Sequence, residues 1–153
     1  MPFRSILVAY DGSAPSQAAL TEAVDLARRT GASLKVVSVI PIIAGAYGVE
    51  LPPGPGIDET IERAKATQAE LKARLEREGG LSKLELLLFE GDPVERVLEE
   101  AEQHPPDLLV VGSRGLSGAG RFFLGSVSDG ILHHARCAVL VVRPHTTAPA
   151  HAP

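Results

Sequence analysis

One cysteine, Cys137, stands in a chain of 153 residues, so no internal disulfide can form, and a single thiol with scattered histidines makes no zinc framework. A reducing, cytoplasmic setting is expected. Basic residues are not in excess: 15 Lys+Arg stand against 19 Asp+Glu, a formal net charge of −4. That balance argues against a surface built for nucleic acid or anionic lipid, so any phosphate must be held locally. Long apolar runs are missing too. Each spans a few residues, far below the ~20 needed to cross a bilayer, and no membrane association is expected. After Met1-Pro2-Phe3 the chain passes directly into a strand-like run, without a separate apolar stretch and cleavage site, so no secretion signal is expected. What is present is an ordinary globular composition, 44% hydrophobic and 22% charged. The length suits one domain, at ~100–200 residues each, with a full core.

Ile6-Leu7-Val8-Ala9-Tyr10 is an apolar run that stops at Asp11-Gly12-Ser13, as a buried strand ended by a turn does. From Pro15 the spacing becomes helical, with Ala19, Ala23, Leu26 and Ala27 on one stripe and Arg28-Arg29-Thr30-Gly31 closing it. A second strand is predicted at Leu34–Ile40, followed by a Pro/Gly-rich stretch from Pro41 to Ile57, a length that usually marks a functional loop. Asp58 is expected to cap a charged helix running to about Glu78, with Ile61, Leu71 and Leu75 facing inward and Gly79-Gly80 stopping it. Leu84–Phe89 reads as a third strand. Asp92 and Pro93 open a helix carrying Val94, Val97, Leu98 and Ala101, which His104-Pro105-Pro106 breaks. Leu108–Val111 is a fourth strand, a glycine-rich loop runs from Gly112 to Gly125, a helix covers about Ser126 to Ala135, and Ala138–Val142 is the fifth strand. Residues 1–143 form the expected domain and 144–153 read as a disordered tail.

Strands alternating with helices imply βαβ crossovers, and near-continuous apolar strands imply a parallel sheet covered on both faces: a doubly wound α/β fold. Ligands of such sheets bind outside the carboxyl ends of the strands, where strand order reverses. Attention therefore falls on Asp11-Gly12-Ser13, on Val39 and on the loop from Gly112. There Gly112-Ser113-Arg114-Gly115 follows the fourth strand, and nine residues separate Gly115 from Gly125-Ser126. Glycines let the backbone approach a ligand and take positive φ, and a helix start offers unpaired amides worth ~0.3–2 kcal/mol each toward an anion. With the Ser126 hydroxyl they can cradle a polyphosphate without a lysine. The same glycines also suit plain turns, and spacing alone does not separate the two readings.

That glycine pattern resembles the nucleotide-binding motif of the universal stress protein family. Ile6 to Ser13 is similar to the family's first strand and aspartate turn, Gly91-Asp92-Pro93 to the opening of its third helix, and Asp107–Gly112 and Cys137–Val142 to its last two strands. The resemblance spans about Phe3 to Arg143. It implies a single doubly wound domain with a five-stranded parallel sheet in the order 3-2-1-4-5 and helices on both faces. It also implies ATP (or ADP or AMP) with Mg²⁺ or Mn²⁺ as ligand, a role in stress response with at most slow hydrolysis, and a protein partner of unknown identity. Carried over by position, Asp11 and Val39 line the adenine and ribose pocket with Ala9 and Tyr10 beside them. Gly112, Arg114, Gly115, Gly125, Ser126 and Val127 contact ribose and phosphates, largely through backbone amides. An uncovered fifth strand invites pairing with a second copy, so a homodimer through residues 138–142 is expected, as the resemblance also implies.

Other roles compete at several of these positions. Asp11 suits a turn as well as a ligand. Arg114 and Arg121 are the basic residues nearest the proposed phosphates, and Phe122-Phe123 suits loop packing as much as shielding. His133 and His134 are adjacent on a helix and lack the i,i+4 geometry of a metal pair. Cys137 beside Arg136 fits either an activated thiol or a small buried hydrophobe. No Walker lysine, no Ser-His-Asp order and no general base beside a γ-phosphate are evident, so efficient ATP hydrolysis is not expected. The alternative is a nucleotide-free dimeric scaffold acting through protein contacts. An adenylyl-transferring enzyme lacks its His-rich motif here, and a phospho-receiver domain is excluded by Glu90 and Arg143 at the ends of strands three and five.

Overall fold

Short apolar runs alternate with stretches of helical, period-3.6 patterning along the chain, and each stretch folds accordingly. The computed structural model describes residues 3–41, 56–113 and 125–144. Its elements are β1 (Ser5–Ala9), α1 (Ala14–Thr30), β2 (Ser33–Ile40), α2 (Ile57–Glu78), β3 (Leu84–Glu90), α3 (Pro93–Gln103), β4 (Leu108–Gly112), α4 (Ser126–His134) and β5 (Ala138–Val142). The strands lie in the order β3-β2-β1-β4-β5, every neighbouring pair parallel. This is the expected doubly wound α/β sheet, with its order reversing between β1 and β4.

Alternation along each strand divides the core into two layers. Ile6, Val8, Leu34, Val36, Leu108 and Val110 pack against α1 and α2 through Ala19, Ala23, Ala27, Leu71 and Leu75. Leu7, Val37, Leu109 and Val111 face α3 and α4, meeting Val97 and Ile131. Burying apolar area on both faces is what makes the strands read as unbroken hydrophobic runs. One row departs from this. Lys35, between Leu7 of β1 and Glu85 of β3, forms an ion pair with Glu100 of α3, which is 6% exposed. His104 Nδ1 lies 3.0 Å from the same carboxylate oxygen. Two charges are thus neutralised inside the α3 layer, where either one alone is costly.

Local chemistry sets most helix ends. Ser13 caps α1, its side chain accepting from the Ser16 N–H at 3.3 Å, and Gly31 ends it at φ 73°. Asp92 caps α3 by accepting from the Glu95 N–H at 3.0 Å. The expectation for Asp58 is corrected: α2 begins at Ile57, its N-cap is Gly56 without a side-chain hydrogen bond, and Asp58 and Glu59 lie within the first turn. There they complement the helix dipole instead of capping it. Leu71 and Leu75 are buried as expected, while Ile61 is half-buried. Of the expected tail, residues 145–153 lie outside the described residues.

Asp107 joins β4 to the start of β1. Its Oδ2 accepts from the Arg4 and Ser5 N–H groups at 2.8 and 3.0 Å, and these backbone bonds hold its carboxyl below the usual carboxylate range. A carboxyl lowered by folding contributes stability above its unfolded pKa and loses it as pH falls through the folded value. Asp107→Asn is expected to lower the thermal midpoint at neutral pH, with the gap to the parent closing as the solution is acidified through the carboxylate range. An equal gap at neutral and acid pH contradicts this.

Candidate functional site

The site begins where β1 stops pairing. On β2 the peptide groups alternate: Ser33 N–H bonds Arg4 O at 2.9 Å and Val37 O takes Tyr10 N–H at 2.9 Å on the β1 side. Leu34 N–H bonds Lys83 O at 2.9 Å and Ile40 O takes Gly91 N–H at 3.0 Å on the β3 side. The same alternation turns the N–H and C=O of Val39 toward β1. By then β1 has left the sheet through Asp11-Gly12-Ser13, with Gly12 at φ 82°. Asp11 Oδ1 accepts from Ser13 N–H at 2.9 Å, and Ser16 Oγ donates to Ser13 O at 3.0 Å. Asp11 thus shapes the turn, one of the two roles its residue type allows, while also lining the cleft described below.

On the other side of β1, β4 runs on to Gly112. A Cβ at Gly112 would sit 2.4 Å from the Pro15 carbonyl and 2.8 Å from Ser16 N. Glycine is required there because α1 presses its first turn onto the strand end. Gly112 does not take a left-handed conformation, and Gly125 has φ −61°, so neither uses the positive φ that glycine allows. α4 then starts at Ser126 behind Gly125, which provides no side-chain cap. The leading N–H groups of Ser126, Val127 and Ser128 are therefore those that a helix leaves for an outside acceptor. Ser128, 4% exposed, donates its hydroxyl to Gly112 O and ties α4 to the end of β4.

Between these ends lies a cleft of about 200 Å³. Ala9, Val37, Val39, Val97, Val111 and Val127 give it apolar walls, and Asp11, Ser13, Ser16 and Ser128 bring polar groups. Of the residues singled out in the sequence, Ala9, Tyr10, Asp11, Val39, Gly112 and Val127 line it together. Alternation sends the Tyr10 ring to the α1/α2 layer, however, while Ala9 belongs to the α3/α4 layer with the cleft. Gly125 and exposed Ser126 stand next to Val127 at the start of α4. Arg114 and Gly115 lie outside the described residues, as do Arg121, Phe122 and Phe123. Pro93 and Val97 of α3 also line the cleft, and they were missed because only tertiary packing brings that helix to the strand ends. Ser128 could have been noticed as a second hydroxyl two residues beyond Ser126.

The remaining candidates take structural roles. Cys137 packs against the α3/α4 layer, and burial pushes its thiol pKa up, which favours the small-hydrophobe reading over activation by Arg136. His133 and His134 turn Nδ1 to the Asp129 and Gly130 carbonyls at 2.8 and 2.9 Å. Among the described residues no group of three or more His, Cys, Asp or Glu is placed to hold a metal, and no helix is long and apolar enough to cross a membrane.

These features define a doubly wound α/β domain with a cleft at its topological switch point, where such folds place their ligands. The sequence model of the Universal stress protein family matches residues 2–143, and the chain belongs to that family. A universal stress protein of Thermus aquaticus is 34% identical over 141 residues, covering 92% of this chain and 99% of its own. Universal stress protein UspA from Lactobacillus plantarum superposes with a TM-score of 0.69 at 29% identity, covering 94% of this chain and 99% of that one. A universal stress protein in complex with cAMP gives a TM-score of 0.71 at 25% identity, covering 95% and 100%.

Because the atoms that crowd Gly112 are backbone, a methyl group there cannot be accommodated by a rotamer change. Gly112→Ala is expected to cost about 3 kcal/mol through overpacking, a fall of roughly 6–12 °C in thermal midpoint. A midpoint within a degree of the parent contradicts the close packing of α1 on β4.

Proposed function

We propose that the cleft holds an adenine nucleotide, with ATP, ADP and AMP as the candidate ligands, and that the chain is a nucleotide-dependent stress-response regulator. The observation that carries this reading is the edge of β2 at Val39, which no strand covers among the described residues. A peptide N–H beside a C=O matches the N1 acceptor and N6 amino donor of adenine. Guanine presents the opposite pattern on that edge, so the same pair discriminates against it. The apolar walls suit the faces of a purine. A volume of about 200 Å³ is below the ~300–1,000 Å³ of a drug-sized pocket, which suits a base and part of its sugar. The phosphates then extend across Gly112 toward Gly125, Ser126 and Val127, where the helix N-terminus favours an anion. Arg114 and Gly115 belong to the same proposed contacts. The cAMP complex of a family member 25% identical to this chain supports an adenine ligand.

Asp11 is the one carboxylate lining the cleft among the described residues. Mg²⁺ or Mn²⁺ arriving with a nucleotide would take most of its oxygen ligands from phosphate and water. Asp11 at the turn also suits a ribose hydroxyl. With no general base beside the proposed phosphates among the described residues, hydrolysis is at most slow, and signalling through a partner protein is the favoured role.

Thermal shift with ATP, ADP, AMP and GTP, each with Mg²⁺, tests the reading. A ligand at a hundred times its dissociation constant adds ~2.7 kcal/mol, or roughly 5–10 °C in midpoint. Adenine nucleotides are expected to give that rise and GTP not. Ala9→Phe, which fills the cleft from its own wall, is expected to abolish the rise. No shift with any adenine nucleotide leaves the nucleotide-free scaffold as the better reading.

The edge strand favours self-association in either case. Val139–Val142 are half-buried and Ala138 exposed on a strand that has one side unpaired among the described residues, a hazard that pairing with a second copy removes. A homodimer through β5 in the cytoplasm is therefore part of the proposal. Light scattering at micromolar concentration is expected to give twice the chain mass, and a monomer overturns that part.

A further inference from the structure

On the other face of the β1 and β2 ends, between the strands and α2, lies a second cleft of about 440 Å³. It exists because α2 buries Leu71 and Leu75 but no residue before them. Its earlier turns present Thr60, Ala64, Thr67 and Gln68 to the cleft, side chains too small or too polar to close onto the sheet. Ile40 and Leu88 supply the floor, with Leu71 at one side. A volume in the ~300–1,000 Å³ range, apolar walls and a few placed polar groups are the usual attributes of a small-molecule site.

Gln68 distinguishes this cleft from a packing gap. Its Nε2 is shielded from solvent and has no hydrogen-bond partner among the described residues, although a buried donor left unmade costs stability. The neighbouring threonines offer a ligand no donor of their own: Thr60 Oγ1 donates to Gly56 O at 3.3 Å and Thr67 Oγ1 to Arg63 O at 3.0 Å, so their hydrogens are spent on their own helix and Gln68 is left as the helix's shielded donor. Arg63 is the one cation lining the cleft among the described residues. It is 70% exposed and held by Glu59 at 3.4 Å, a surface pair of the kind that contributes little. An unspent amide donor and a weakly held guanidinium lining one cleft select an anionic acceptor, and the floor of Ile40 and Leu88 selects an apolar body behind it. Asp11 lines the far end, which disfavours placing an anion there and orients such a ligand with its charge toward α2.

We propose that this second cleft binds a small carboxylic acid with an apolar body. Its carboxylate accepts from Gln68 and displaces Glu59 as the partner of Arg63, while its chain lies on Ile40, Leu71 and Leu88. The two clefts share Tyr10, Asp11, Val39 and Pro41, so an occupant here touches the same strand ends from the opposite face.

Octanoate is the probe, titrated into nucleotide-free protein so that the outcome is independent of the reading of the first cleft. The expected result is saturable binding by calorimetry, with movement of the Gln68 side-chain amide resonances and clearly weaker binding of octanol. Gln68→Leu is expected to weaken octanoate at least tenfold while its thermal midpoint stays level or rises, because a buried unpaired donor has been removed. Gln68→Glu, which sets like charge against the probe, is expected to weaken it at least as much and serves if the leucine variant does not fold. No binding by the parent overturns the proposal. So does undiminished or tighter binding by Gln68→Leu, since generic apolar adsorption gains from that change.

Discussion

Gly112 is the point at which three elements meet. The Pro15 carbonyl lies where its side chain would begin, and its own carbonyl receives the Ser128 hydroxyl. The first turn of α1 and the first turn of α4 are thereby both referred to the end of β4. Protein interiors are packed too closely for such an approach to loosen by half an ångström without loss. The cleft walls are parts of these same elements: Ala9 leads into α1, Val111 precedes Gly112, and Val127 stands within the first turn of α4. A glycine that reads as a phosphate-loop residue is thus also a packing residue, and substituting it tests both roles at once.

The second constraint is the early departure of β1. Its last rung joins Tyr10 to Val37, and the peptide group two residues further along β2 is left facing the cleft. A backbone donor and acceptor on a strand end need no particular side chain. The recognition of a base edge proposed for them is therefore carried by topology, and the side chains around them need only be apolar and of suitable size. The Lys35–Glu100 pair works at the opposite end of the same layer, holding α3 to β2. From α3 come Pro93 and Val97, which line the cleft.

How much of this was legible depends on the range of the interaction. The five apolar runs, the turn at Asp11-Gly12-Ser13, the cap at Asp92 and the stop at Gly31 are local chemistry, and their elements could be read almost residue by residue. Asp58 misled because acidic residues are favoured both at a cap and in a first turn, and only the backbone shows that Gly56 takes the cap. The crowding of Gly112 by Pro15 could not be read, since glycine at a strand end is equally consistent with a turn or a ligand. Lys35 and Glu100 lie 65 positions apart, and nothing local marks either as buried. At the cleft, residues at strand ends could be anticipated from the doubly wound topology, whereas Pro93 and Val97 depend on how α3 docks. The opposite facing of Ala9 and Tyr10 was available in principle from alternation alone.

Adenine binding as proposed depends on the Val39 peptide group meeting the edge of the base. Backbone amide resonances recorded while AMP is added to isotopically labelled protein test this most directly. The expected result is a large, saturable shift of the Val39 N–H with AMP and little change with GMP at the same concentration. A Val39 amide that stays in place at saturating AMP, or that moves equally with GMP, contradicts adenine recognition at this edge.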